Sequence, residues 1–205
     1  MTPEAEDVRT VGDDLMAHFS KLSDASWDAR AHHLQWTCWE TAAHIVSSLG
    51  CYAMQISGRT PPQGWIELAE TPPQQPASPE LIIYPDRTTG THGMVSCLDA
   101  AAGLLSAVVS VTPPNQRGFH PYGISDASGF AAMGILEALV HGYDVLTAHA
   151  VDYQPHDIPI VRVLDRLFPD TPRTANPWQD LLRATGRTPE TRANPWRWYS
   201  AVRDL

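Results

Sequence analysis

The stretch Gly129-Phe-Ala-Ala-Met-Gly-Ile-Leu-Glu137-Ala-Leu-Val-His141-Gly-Tyr-Asp144-Val145 decides the architecture. At about 100° per residue, Ile135, Leu136, Leu139 and Leu146 form one broad apolar side, and Phe130, Met133, Val140 and Ala148 form another. A helix apolar nearly all round is buried in a bundle. Through its second side runs a stripe of ionisable residues, Asp126, Glu137, His141 and Asp144. Buried carboxylate and imidazole are costly unless paired or bound to a cation. Glu137 and His141 stand one turn apart, so their side chains can meet at one point. Ser125-Asp126 supplies the helix start, and the period runs to about His149.

Three further periodic segments complete a bundle. Val8, Val11, Leu15, Phe19 and Leu22 mark a helix over about 4–22. A second starts near Trp36 and is stopped by Gly58 and Pro61-Pro62; a third spans about Gly93 to Val111. Between them, residues 59–91 hold Pro61, Pro62, Pro72, Pro73, Pro76, Pro79 and Pro85, which keep helix out of most of the stretch. It reads as a long crossover in which Leu81-Ile82-Ile83-Tyr84 lies extended across the bundle. Ile158 to Phe168 predicts a fifth helix, and Asn-Pro-Trp at 176–178 and 194–196 places Asn at a cap and Pro at a first helical position. The expected architecture is all-α: an up-down four-helix bundle over 1–150 and a helical extension over 151–205. Trp178, Trp196 and Trp198 of the extension cover the bundle and partly roof its site.

The chain has 205 residues, 43% hydrophobic and 18% charged, with net charge −9. Such a chain has core to bury, and its acidity argues against nucleic acid as a partner. Val95 to Val111 contains Asp99 and is too short for a bilayer span, so no membrane is expected. The acidic start, Met1-Thr-Pro-Glu, and three cysteines without a CxxC pair point to the cytoplasm.

The second helix carries Ile45, Val46, Leu49, Tyr52 and Ile56 on its apolar face and Thr37, Glu40, His44, Ser48, Cys51 and Gln55 on the other. Alone, that second face is an ordinary solvated one, and Glu137–His141 alone is an ordinary ion pair. Taken together, His44, Glu137 and His141 form a two-histidine, one-carboxylate set suited to zinc, nickel, iron or manganese, with coordination positions left open. Glu40 and His44 leave room for a second metal, although the usual Glu-x-x-His spacing is absent. His120-Pro-Tyr122 precedes the fourth helix and places an imidazole and a phenol at the mouth of the site, or else forms a turn. Asp144 orients His141 or a bound water. Cys51 reads as a small buried thiol, and His92 and Arg117 as solvated.

Trp36-Thr-Cys-Trp-Glu-Thr-Ala-Ala-His44 and the 129–145 segment resemble the second- and fourth-helix motifs of the DinB and mycothiol-dependent maleylpyruvate isomerase superfamily. The resemblance covers about residues 4–150 and implies a bundle holding a divalent metal on His44, Glu137 and His141. Glu at 137, where many members have His, matches the maleylpyruvate isomerase branch, but 150–205 is shorter than that enzyme's additional C-terminal domain. The implied function is metal-activated attack of a low-molecular-weight thiol cosubstrate on a small electrophile, as a transferase or isomerase, with His120 and Asp144 assisting. Two other classes stand beside it. One is a non-catalytic metal- or ligand-binding protein; the other is a metal-free enzyme of specialised metabolism using the bundle cavity. Assembly as a homodimer is left open.

Overall fold

The computed structural model describes residues 2–58, 63–69, 78–192 and 196–202, and among these the regular elements are helical. The bundle consists of α1 (Ala5–Phe19), α2 (Cys38–Ser57), α3 (Gly90–Val111) and α4 (Ala127–Thr147), followed by α5 (Asp157–Leu167) and α6 (Pro177–Ala184). α1 and α2 each pack against both α3 and α4. Ser106 at the end of α3 bonds Ala5 at the start of α1, so these two helices are antiparallel. Tyr52 meets Phe130 while Cys38 meets Val145, so α2 and α4 are antiparallel as well. The crossover therefore carries the chain back to the end where α2 began. α2 and α3 run one way, α1 and α4 the other.

Local chemistry sets the boundaries. Thr37 and Glu40 form a reciprocal capping box that starts α2, and Asn176 caps α6 with Pro177 in its first turn. Asp126, read both as part of the helix start and as part of the buried stripe of α4, is its N-cap and not part of the stripe: it accepts from the Gly129 amide and faces Arg166 at 3.3 Å. It shares the angular position of Glu137 but lies eleven residues, or about 16 Å, along the helix axis. Gly142 lets α4 approach α1, since a Cβ there would stand 2.4 Å from Leu15 Cδ2.

The crossover is held where it is described. Ser47 Oγ accepts from the amides of Ile82 and Ile83, and Leu81 is buried. Gln55 accepts from the Ile66 amide and donates to the Gly64 carbonyl. Pro61, Pro62, Pro72, Pro73 and Pro76 lie outside the described residues, as do Asn194 and Pro195 of the second Asn-Pro-Trp. The described part of that second motif, from Trp196, is not helical.

The expectation that no segment is long enough to span a bilayer needs correction. Both α3 with its preceding turn and α4 are long and apolar enough. α4 is 94% buried inside the protein along its apolar run, so its apolarity is spent on the core; the corresponding figure for α3 is 28%.

The segment after α4 packs on the bundle. Arg162 of α5 pairs with the buried Asp7 of α1 at 2.8 Å. Arg166 donates to the carbonyls of Tyr199, Ser200 and Ala201 and to Ser125 Oγ. Trp178 is 3% exposed and donates to the Tyr153 carbonyl. Trp196 and Trp198 are partly buried against the core.

Candidate metal centre

α2 and α4 bring His44, Glu137 and His141 together. One ligand atom from each lies within 4.8 Å of the other two. Glu137 Oε2 stands 3.3 Å from His44 Nε2 and 3.2 Å from His141 Nε2, and the two rings are 5.0 Å apart at 88°. Atoms bound to one cation at about 2.1 Å with tetrahedral angles are about 3.4 Å apart, so the two nitrogen–oxygen separations fit a common ion.

The electrostatics of the cluster are those of a charged group in a dry place. Burial works against ionisation of Glu137, but hydrogen bonds from His141 and His44 outweigh it and hold the carboxyl well below its usual range. Burial likewise works against protonation of His141, and Asp144 and Glu137 overcome it, raising its pKa. Tyr52, with its hydroxyl pKa pushed up by burial and by Glu137, stays protonated and donates to Glu137 Oε1 at 3.4 Å.

Asp144 is 2% exposed and accepts from His141 Nδ1 at 3.1 Å, which leaves Nε2 facing Glu137. The same carboxylate receives Arg187 at 2.8 Å and faces His32 Nδ1 at 3.6 Å. Burial opposes its charge, and these three partners keep it ionised. His32 reaches it from a left-handed backbone, φ 37°, which is uncommon for a residue with a side chain. A histidine whose second nitrogen is held by a buried carboxylate is the usual arrangement of an oriented metal ligand.

A cavity of about 280 Å³ opens against His44 and Glu137, with Cys51, Tyr52, Trp65 and Ile82 in its walls and Glu80 at its rim. Cys51 lines this space and is only partly buried, against expectation.

His120 does not line this cavity. It is buried in an aromatic box of Tyr52, Trp65, Tyr122 and Trp198, with Tyr52 between it and Glu137. Burial pushes its pKa down to about 4, and its Nδ1 accepts the Tyr122 amide, which leaves the ring proton on Nε2. Glu40 is consumed by the Thr37 cap and by Ser78, so the second-metal reading is discarded. Arg117 folds onto the carbonyls of Pro114 and Gln116, and His92 is exposed.

Tyr52, His32 and Arg187 were not legible as site residues. Tyr52 lies on the apolar face of α2 by period, and only its hydroxyl reaches across. His32 and Arg187 arrive from a turn and from the C-terminal segment, where no period operates.

Comparison with curated proteins and with solved structures gives no significant match. The DinB superfamily profile matches residues 8–142, which span α1 to most of α4 and include all three residues of the cluster. A bundle of this topology, carrying this cluster on its second and fourth helices and matched over well over half its length, is a member of the DinB superfamily.

Proposed function

We propose that the protein is a metal-dependent enzyme that joins a low-molecular-weight thiol, of the mycothiol type, to a small electrophile, as a transferase or isomerase. The observation carrying this reading is the three-residue cluster, whose His44 and Glu137 open onto a 280 Å³ cavity and whose His141 is oriented by a buried carboxylate. His44, Glu137 and His141 hold a divalent cation, zinc being the natural choice for two imidazoles and a carboxylate. Such a cation lowers the pKa of a bound thiol, so that thiolate is present at neutral pH.

The chain's own groups do the rest. Asp144 accepts from His141 Nδ1, so that the Nε2 proton facing Glu137 is the one a cation would displace. Tyr52 holds Glu137 in position. Trp65 and Ile82 keep water off an apolar electrophile. His120, neutral and outside this cavity, backs the Tyr52 ring and has no acidic proton to give to product. In transfer, the sulfur bonds to the electrophilic carbon and the leaving group departs with the thiol's proton. In isomerisation the carbon–sulfur bond forms, rotation follows, and the same bond breaks.

The test is elemental analysis of tag-free protein combined with turnover of a bimane or chlorodinitrobenzene with thiol. About one equivalent of metal is expected in the parent protein, and little in His141→Ala at near-native helical circular dichroism, with thiol turnover lost in step. Turnover surviving both His141→Ala and chelator would transfer the chemistry to the metal-free cavity. Metal retained in the parent without turnover would leave a binding protein.

A further inference from the structure

A second cavity, of about 300 Å³, lies against His141 and Asp144, whereas the first lies against His44 and Glu137. Its walls come from the His32-His33 turn and from Arg187, Arg192 and Trp196 of the C-terminal segment. These wall residues of the C-terminal segment lie beyond the part of the chain matched by the superfamily.

The charge of this lining is unlike that of the chain. In a protein of net charge −9, it carries two arginines and three histidines against one acid, Asp144. Arg187 is committed: it forks onto both oxygens of Asp144, donates to the Thr185 carbonyl and stacks on the Trp196 ring at 5.3 Å. Arg192 is exposed and has no ion pair among the described residues. Burial first, then His32 and Arg192, lower the pKa of His33, which leaves it a neutral N–H donor. A guanidinium without a carboxylate, beside an imidazole and an indole wall, matches a carboxylate in charge and in shape. The first cavity has the opposite character, with Glu80 and Glu137 at its edge.

We propose that the cleft between the His32-His33 turn and the C-terminal segment binds the carboxylate end of a small organic anion. Arg192 and His33 are the donors, Trp196 is the apolar wall, and the ligand's other end points toward His141. The volume admits roughly ten water-sized groups, the scale of a small dicarboxylic acid. The two cavities then sort two reactants on opposite sides of one cluster, the anionic one entering beside His141 and the apolar one beside His44. That pairing rests on the proposed function; the anion site itself does not.

Calorimetric titration of the full chain with succinate, and with neutral succinamide, tests the site directly. Succinate should bind and succinamide should bind at least about ten-fold more weakly. Arg192→Gln, at an exposed position that leaves the core untouched, should weaken succinate about five-fold with unchanged circular dichroism. No succinate binding by the parent, equal binding of both probes, or an unaltered Arg192→Gln would each overturn the proposal. In a thiol assay, Arg192→Gln should raise KM for 3-mercaptopropionate and leave that for 2-mercaptoethanol unchanged. Succinate binding that depends on Arg192, in a protein with no thiol turnover, would sustain the cleft and sink the proposed reaction.

Discussion

The two nitrogens of His141 face two different parts of the molecule. Nε2 meets Glu137, and with His44 it belongs wholly to the four-helix bundle. Nδ1 meets Asp144, whose charge is balanced by Arg187 from the segment after α6. The bundle thus contributes the ligand atoms, and the C-terminal segment stabilises the group that orients one of them. It also walls the cleft on that side.

Removing the extension tests this division most severely. Stopping the chain after Arg173 deletes the buried Trp178, Leu181 and Leu182, each contributing roughly 1.5–3 kcal/mol. The expected result is insoluble protein or a melting temperature lower by more than about 10 °C. A soluble truncation with parental stability and metal content would break the comparison.

Arg187→Met is gentler and more specific. Arg187 and Asp144 are 8% and 2% exposed at the side chain, so the substitution strands a buried carboxylate and should cost about 3 kcal/mol in urea denaturation. Metal affinity should fall about ten-fold, because His141 loses its firm orientation. Full stability with weakened metal binding would show that Arg187 acts on the ligand alone; the reverse would confine it to the fold.

The smallest effect concerns His120, whose ring contacts Trp198 of the extension. Burial lowers its folded pKa to about 4 from an ordinary value near 6.5. The unfolded chain therefore binds the extra proton between these values, and stability rises with pH across that window. The contribution is fully present above about pH 6.5 and is lost as pH falls toward 4, about 2–3 kcal/mol in all. His120→Phe should flatten the stability profile over that range relative to the parent. Parallel profiles would mean that His120 is solvated.

What could be read from the sequence was whatever repeats with a helical period. The four bundle helices and the convergence of Glu137 with His141 follow from spacing along the chain, whereas His44, on a face that spacing alone reads as solvated, was joined to them by the family resemblance. Spacing failed where angle and distance part company: Asp126 shares a face with Glu137 yet caps the far end of α4. It failed again where the chain loses its period. The turn carrying His32 and the segment carrying Arg187 meet Asp144 from sequence separations of 112 and 43 residues, and no local signal encodes such a meeting. The crossover was legible as a proline-rich excursion, but not its fastening through Ser47, which the sequence reading passed over, and Gln55, which looks like an ordinary polar position on a solvated face.

The pairing of Arg187 with Asp144 also imposes an order in time. During synthesis from the N-terminus, His44, Glu137 and His141 emerge well before Arg187, so the ligand set exists while Asp144 still lacks its cation. A nascent bundle in that state has Asp144 held by His141 and His32 alone, with the flank that the later segment covers still open. Arrival of the later segment neutralises the acid and encloses that flank in one event, which makes maturation of the site a late step in the birth of the protein.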